Sequence, residues 1–233
     1  MKDSDVRMTD DRGEPEAIHP ASARETQTPT ILSFVADWPN LITLLGLSSA
    51  VLALFFTLSH NYPAAIIAML WAVALDWYDG LVARAMQGRS ESHKLIGVHM
   101  DSLVDLVTSA VVPATLLLSV GEFSAWFYPG ALAIIMAGVL RLAYFDVYGV
   151  DKNDTIAGIA MDNSPYVVAV VFLFEGFLNQ DLFVAVLYAA IVVLALLHVA
   201  PIRTAKLRGM WPYIVTAYTA VMTVAYSFIM WTQ

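Results

Sequence analysis

The sequence predicts an all-α integral membrane protein, and its composition and the grouping of its apolar residues lead to that fold class. The 233 residues are 59% hydrophobic and 14% charged, with a mean hydropathy of +0.67, whereas a soluble domain carries roughly 25% charged residues. The apolar residues form long runs, as membrane spans of about 20 residues require. The chain has no cysteine, which excludes disulfides, a cysteine nucleophile and any thiolate metal site.

Seven apolar runs are candidates for membrane-spanning helices. They are residues 41–59, 62–75, 98–120, 126–147, 159–178, 182–199 and 212–231. The second run is short, and it can cross a bilayer only if its helix continues through Asp76, Asp79 and Arg84. Charged groups inside a membrane helix are costly, so we expect these residues to be functional.

The lysines and arginines predict the orientation of the chain. All 12 lie in the N-terminal segment or at connections and span ends on one side of the predicted bundle. The loops 59–62, 121–125 and 179–181 on the other side contain none. This asymmetry places the N-terminus in the cytoplasm, and seven spans would then place Gln233 outside.

The residues before the first span form two predicted segments. Residues 1–30 are rich in acids, proline, serine and threonine and lack the apolar stretch of a signal peptide, which predicts a disordered cytoplasmic tail. Residues 31–38 form a short amphipathic stretch that we expect on the cytoplasmic membrane surface. Residues 39–233 are the predicted transmembrane domain, which starts at Pro39, a residue tolerated in the first turn of a helix.

Four aspartates near one end of two consecutive spans form the most informative pattern. Asp76, Asp79 and Arg84 share one helix face, and Asp101 and Asp105 share a face of the next helix. Because the two helices are antiparallel, both aspartate pairs are expected near the cytoplasmic end. Such carboxylates repel one another, and bound divalent cations relieve the repulsion. Oxygen-only ligands suit Mg²⁺ or Mn²⁺, and two ions could clamp a phosphoryl group.

Small residues lie on the same face as the first aspartate pair. Gly80 and Ala83 remove side-chain bulk, so a flat ligand could approach the backbone closely, although such residues also serve helix packing in membranes. Arg84 could contact a phosphate group of the ligand or extend to the membrane interface.

Residues 76–105 resemble the signature of the CDP-alcohol phosphatidyltransferase family, D-x2-D-G-x2-A-R-x8-G-x3-D-x3-D. All eight signature residues are present, namely Asp76, Asp79, Gly80, Ala83, Arg84, Gly97, Asp101 and Asp105. One departure is that 12 residues separate Arg84 from Gly97 instead of the usual 8. We expect this polar insert to lengthen a cytoplasmic loop.

The resemblance implies a fold and a set of site residues. The fold would be the six-helix core of the family followed by an extra C-terminal transmembrane helix, assembled as a homodimer. Asp76, Asp79, Asp101 and Asp105 would hold two divalent ions, and Asp105 would also take the proton of the acceptor hydroxyl. The residues expected to contact CDP and its diphosphate are Asn40, Thr43, Gly80, Ala83, Arg84 and Gly97.

The resemblance also implies a reaction, with an acceptor that the sequence leaves open. Strings at 101–114, 140–145 and 201–206 are similar to membrane phosphatidylserine synthases. They imply transfer of a phosphatidyl group from CDP-diacylglycerol to a small alcohol, first of all L-serine, with release of CMP in phospholipid biosynthesis. The residues expected at the acceptor are Arg141, Asn163 and Ser164. Residues 158–165 depart from the Gly-Leu-Pro-x-Pro string of those enzymes, so glycerol phosphate, inositol phosphate, choline and other alcohols remain alternatives.

A divalent cation transporter is the alternative from another class, because intramembrane carboxylates also mark cation paths. A conducting path needs polar groups at several depths, whereas these acids cluster at one end, and it has no use for the Gly-x2-Ala-Arg element. The sequence therefore favours a multi-pass enzyme of the cell membrane with its active site on the cytoplasmic side. We expect it to act on CDP-diacylglycerol and a small alcohol in the lipid bilayer, without nucleic acid.

Overall fold

The computed structural model describes residues 30–152, 154–205 and 209–232, and these residues are mostly helical. The helices are α1 (Trp38–Leu58), α2 (Tyr62–Ala85), α3 (Glu91–Leu106), α4 (Val112–Val120), α5 (Tyr128–Tyr148), α6 (Asn163–Phe172), α7 (Gln180–Val199) and α8 (Trp211–Thr232). Two short strands, β1 (Thr155–Ala157) and β2 (Arg203–Ala205), pair antiparallel. The predicted disordered tail, apart from Thr30, and the predicted position of Gln233 lie outside the described residues.

Six helical segments of this described part are long and apolar enough to cross a membrane, which confirms the predicted all-α membrane fold. They are Trp38–Leu58, Tyr62–Ala85, Glu91–Val120, Ala125–Tyr148, Gln180–Val199 and Trp211–Thr232. The second segment reaches 24 residues because α2 continues without a break through Asp76, Asp79 and Arg84. The charged extension of the second apolar run is therefore helical, as a membrane span there requires.

The fifth predicted span is shorter than the sequence indicated. It was expected over residues 159–178, but α6 occupies only Asn163–Phe172, and a 3-10 turn extends the apolar segment to Phe177. The preceding residues 159–162 instead form a turn that follows the strand pair. Gly158 follows β1 with φ of +68°, and a Cβ there would lie 2.2 Å from the carbonyl oxygen of His198. Only glycine fits this combination of backbone conformation and close approach, so no helix begins at this point.

The connection between α2 and α3 is also shorter than expected. The polar insert does not form a long loop, because α3 begins at Glu91 and only 86–90 lies outside the two helices. Ser90 caps α3 by accepting a hydrogen bond from the backbone N–H of His93 at 3.3 Å, and Glu91 adds negative charge in the first turn. Part of the polar insert, residues 91–94, is thus the first turn of α3, and the loop itself is shorter than expected.

The apolar core and the aspartates occupy different halves of the same helices. Along α2, fully buried core residues such as Met69 and Leu70 precede Asp76. In the third long segment, core residues such as Leu117 follow Asp105. Since the two segments are antiparallel neighbours in sequence, the four aspartates lie towards one end of the bundle and the core towards the other.

Tyrosine hydroxyl groups attach the C-terminal helix to the bundle. Tyr218 donates a hydrogen bond to the carbonyl oxygen of Tyr166 at 3.0 Å, and Tyr226 donates to that of Ala169 at 2.5 Å. Both acceptors are on α6. In a membrane the lipid is as apolar as the helix surface, so such hydrogen bonds and close packing hold helices together.

A buried ion pair ties the start of α1 to the connection between α2 and α3. Arg89 pairs with Asp37, and their side chains are 8% and 6% exposed. The guanidinium of Arg89 also donates to Oδ1 of Asn40 and to the carbonyl oxygen of His93, each at 3.3 Å. The first turns of α1 and α3 are therefore held against the same arginine.

We expect Arg89→Ala to lower the free energy of unfolding by about 3 kcal/mol, because the Asp37 carboxylate would remain buried without its partner. Arg203→Ala is the matched control, since Arg203 pairs with Asp151 while their side chains are 65% and 39% exposed. Loss of that exposed pair should cost less than about 1 kcal/mol. Equilibrium unfolding in mixed micelles measures both, and equal losses would contradict a bracing role for Arg89.

Candidate active site

A cavity of about 710 Å³ lies between α2, α3, α5, the strand pair, the turn before α6 and the start of α8. Its size is typical of sites for small-molecule ligands. The charged residues that line it are Asp76, Asp79, Asp101, Asp105, Asp162, Arg84 and Arg141. All four aspartates of the sequence pattern therefore face one space, together with both arginines that were expected at the ligand.

Three of these aspartates form a group that could hold a metal ion. One carboxylate oxygen from each of Asp76, Asp79 and Asp101 lies within 4.8 Å of the others. Thr43 donates a hydrogen bond to Asp79 and so fixes its orientation. Oδ1 of Asp76 is buried and has no hydrogen-bond partner in the described chain, which is costly unless another group satisfies it. An orphaned oxygen among oxygen-only donors fits a hard divalent cation.

The backbone of the third long segment changes geometry directly after the second aspartate pair. Asp105 lies one turn beyond Asp101 on α3 and lines the same cavity. The residues Val107–Val111 then form a π-helical turn that leads into α4. Such turns are frequent at functional sites. The wider turn shifts the following side chains around the helix axis, so that α3 presents carboxylates to the cavity while α4 presents apolar residues to the core.

A second cavity of about 140 Å³ adjoins the first and shares part of its lining. Five of the residues expected to contact CDP line it, namely Asn40, Thr43, Gly80, Ala83 and Gly97. A Cβ on Gly97 would lie 2.8 Å from Oδ1 of Asn40, so glycine is needed for α3 to approach α1 this closely. The sixth, Arg84, lines the larger cavity, and its guanidinium folds back over Gly80.

Of the three residues predicted to bind the acceptor substrate, Arg141 lines the cavity. Its side chain is buried, and its Nε donates to the carbonyl oxygen of Ile159 at 3.2 Å. The guanidinium carbon lies 5.0 Å from the ring centroid of Phe145. The arginine is therefore held from two sides within a polar cavity, rather than extended to the membrane interface.

The other two predicted acceptor residues lie elsewhere. Neither Asn163 nor Ser164 is among the described residues that line the cavity. The side chain of Asn163 donates to the carbonyl oxygen of Ala160 at 2.9 Å. Ser164 is buried, and its hydroxyl oxygen lies 2.8 Å from Nε2 of the buried His198. These contacts fix the start of α6 and join it to α7.

Sequence reasoning missed Asp162 as a residue of the cavity. Asp162 precedes α6, and its carboxylate accepts a hydrogen bond from Nε1 of Trp77 at 2.9 Å. The rule that selected the other aspartates would have found it, because Asp162 is an acid within a predicted apolar span. Burial of Arg89 beside the smaller cavity was missed as well, since nothing local in the sequence indicates its pairing with Asp37.

Comparison with known protein families identifies the class to which this arrangement belongs. A family model described as CDP-alcohol phosphatidyltransferase matches residues 36–233. The chain therefore belongs to the CDP-alcohol phosphatidyltransferase family. The resemblance drawn from the aspartate signature is confirmed.

Individual relatives agree with this class. The archaetidylserine synthase of Methanothermobacter thermautotrophicus is 34% identical over 184 residues, which cover 77% of this chain and 74% of the relative. The CDP-diacylglycerol–serine O-phosphatidyltransferase of Bacillus subtilis is 32% identical over 47% of this chain and 60% of its own length. The enzyme of that name from Saccharomyces cerevisiae is 35% identical over 51% of this chain and 40% of its own. The matches to the last two thus span less than two thirds of those relatives.

We expect Mn²⁺ or Mg²⁺ to raise the melting temperature of the purified protein, because a ligand of the folded state alone stabilises it by about 2.7 kcal/mol at 100 times its Kd. The double variant Asp76→Asn, Asp101→Asn should lose this rise. Scanning fluorimetry with added cation and with EDTA measures it.

Asp146→Asn is the control for this measurement. Asp146 is an exposed carboxylate that accepts a hydrogen bond from Ser102 at 2.7 Å and does not belong to the aspartate group. This variant should keep the full cation-induced rise. A rise of wild-type size in the Asp76 and Asp101 double variant would mean that the cation binds elsewhere.

Proposed function

We propose that the protein transfers the phosphatidyl group of CDP-diacylglycerol to the hydroxyl group of L-serine and releases CMP, a step of phospholipid biosynthesis. The observation that carries this proposal is the meeting of Asp76, Asp79 and Asp101 within 4.8 Å, in a cavity that also contains Asp105 and a buried Arg141. The names of the relatives from Bacillus subtilis and Saccharomyces cerevisiae support serine as the acceptor.

In this proposal Asp76, Asp79, Asp101 and Asp105 hold two divalent ions, Mg²⁺ or Mn²⁺. When bound, such ions supply positive charge that attracts the diphosphate oxygens and stabilises the charge that develops on the leaving CMP. The free oxygen of Asp76 and the oxygen-only donor set support this assignment.

The residues around the smaller cavity position the CDP part of the lipid. Gly80 and Ala83 add little side-chain bulk to α2, and the Arg84 guanidinium lies over Gly80, where it can contact the ligand. Asn40 and Thr43 face the same space from α1. Arg84 offers planar, charge-assisted hydrogen bonds to a phosphate group. The diphosphate would thus lie across the boundary of the two cavities, beside the aspartates.

Asp105 is the proposed general base. It accepts the proton of the serine hydroxyl while that oxygen attacks the lipid-side phosphorus. A new phosphorus–oxygen bond to serine forms, and the bond from this phosphorus to the bridging oxygen breaks, so CMP leaves with the bridging oxygen. Arg141 lines the same cavity and binds the carboxylate of serine.

We also propose an orientation and an assembly. The N-terminus and the active site lie on the cytoplasmic side of the cell membrane, as the distribution of lysines and arginines supports. Residues 31–38 lie on that membrane surface, which fits the 87% exposure of Ile31 and the packing of Phe34 against His93. Two copies of the chain form a homodimer.

Release of CMP from CDP-diacylglycerol is the experiment that tests this function. The purified protein is supplied with Mn²⁺ or Mg²⁺ and with serine, glycerol 3-phosphate, inositol, inositol phosphate or choline in turn. Metal-dependent release with serine alone is the expected result. Release with a different acceptor would keep the chemistry and replace the substrate, and failure with every acceptor would contradict the proposal.

We expect Asp105→Asn to reduce kcat to below about 1% of the wild-type value, because a general base contributes roughly 10²–10⁴-fold and the amide cannot accept the proton. The melting temperature should stay close to that of the wild type. CMP release at saturating serine measures the effect, with Asp146→Asn as the variant that keeps full activity. A near-normal rate would remove Asp105 from the role of base.

We expect Arg141→Ala to raise the KM for serine by about tenfold or more, since a hydrogen bond to a charged group contributes roughly 1.5–3 kcal/mol. The KM for CDP-diacylglycerol should stay within about twofold. Steady-state kinetics with each substrate varied in turn measures both constants. Equal increases in the two constants would indicate that Arg141 contacts phosphate or supports the fold.

A further inference from the structure

Asp162 has no part in the reaction as described above, yet it lies in the same cavity as Arg141. The turn before α6 connects the two. Its Ile159 carbonyl oxygen accepts a hydrogen bond from Nε of Arg141, and three residues later the carboxylate of Asp162 is held by Trp77. The turn before α6 therefore holds the guanidinium of Arg141 and places the carboxylate of Asp162 in the same cavity.

These opposite charges share the cavity without pairing directly. In the described residues, the ion pairs within 4.0 Å involve Arg89, Lys94 and Arg203, not Arg141. The terminal nitrogens of Arg141 donate no hydrogen bond to any of the described residues, since its one side-chain hydrogen bond among them is made by Nε. A buried guanidinium group is costly unless its donors are satisfied. Its free donors and the carboxylate of Asp162 are thus available to a ligand between them.

The ligand that satisfies both groups carries a carboxylate and an ammonium group, as an α-amino acid does. We propose that Arg141 binds the carboxylate of the acceptor and that Asp162 binds its ammonium group, which directs the serine hydroxyl towards Asp105. This inference rests on the proposed function and adds the residue that selects an amino acid. Choline lacks the carboxylate, polyol phosphates lack the ammonium group and neutral polyols lack both, so each leaves at least one buried charge unsatisfied.

Trp77 gives Asp162 its position. Its indole N–H donates to Asp162 at 2.9 Å, and Trp77 is the direct neighbour of Asp76 on α2. The proposed ammonium site is thus connected by one residue to the aspartate group.

The first test removes the charge of Asp162 and keeps the size of the side chain. Asp162→Asn should raise the KM for serine about tenfold or more. It should leave the KM for CDP-diacylglycerol and the Mn²⁺ concentration for half-maximal activity within about twofold. Trp77→Phe, which removes the indole donor together with part of the ring, should raise the KM for serine by a smaller factor. Asp146→Asn removes an exposed carboxylate that does not line the cavity, and it should change none of these constants.

The second test separates the two charges of the ligand with inhibitors that lack the hydroxyl group. L-Alanine carries both charges, and propionate carries only the carboxylate. Asp162→Asn should weaken inhibition by L-alanine about tenfold and leave propionate unchanged, whereas Arg141→Ala should weaken both. Equal weakening of both inhibitors by Asp162→Asn, or a wild type that L-alanine does not inhibit, would overturn the assignment.

The outcomes also distinguish this inference from the function on which it rests. If the wild type releases no CMP with serine, both fail. If it uses serine and Asp162→Asn leaves the KM for serine unchanged, the inference alone fails. If this variant changes the Mn²⁺ dependence instead, Asp162 belongs to the metal site and the ammonium assignment is overturned.

Discussion

Repulsion among carboxylates held close together is the physical constraint on which this site depends. Two like charges at 4.8 Å, the limit for the oxygens of Asp76, Asp79 and Asp101, repel by roughly 3 kcal/mol per pair at an effective dielectric constant of 20. Among the described residues, no arginine or lysine forms an ion pair with Asp76 or Asp79. Bound divalent cations would compensate this repulsion, so the arrangement makes sense as a place where a charged diphosphate is bound and cleaved.

The rest of the fold holds these groups where they repel. The apolar halves of α2 and of the third long segment supply the buried core, while their other halves carry the aspartates. Gly97 allows α3 to approach α1, and Arg89 fixes both first turns around Asn40. Packing in the apolar half of the bundle therefore offsets the repulsion at the site in the other half. Membrane helices permit this division because each crosses the whole bilayer.

The elements that could be predicted from the sequence are those that depend on residues close together along the chain. Hydropathy located the long helices, and residue spacing placed Asp76 and Asp79 on one face of α2 and the second aspartate pair on α3. The strand pair, the late start of α6 and the burial of Arg89 could not be predicted in this way. Each depends on contacts distant in sequence, such as the pairing of Arg89 with Asp37.

The residues around the acceptor substrate were even harder to predict from the sequence. Ser164 lies in a polar stretch that the sequence left available for a substrate, but tertiary packing commits its hydroxyl to His198. Asp162, two residues earlier, faces the cavity and is held there by a tryptophan from α2. The direction in which α6 begins determines whether Asp162 or Ser164 faces the cavity. This direction depends on how α6 packs against the other helices.

In the proposed reaction, a serine oxygen attacks the lipid-side phosphorus beside these aspartates. The measurement that tests it most directly follows serine labelled with ¹⁸O in its hydroxyl group through a single turnover with CDP-diacylglycerol. Attack by the serine oxygen places the label in the phosphodiester of the lipid product, and CMP then carries none. Label in CMP, or a lipid product without label, would contradict it.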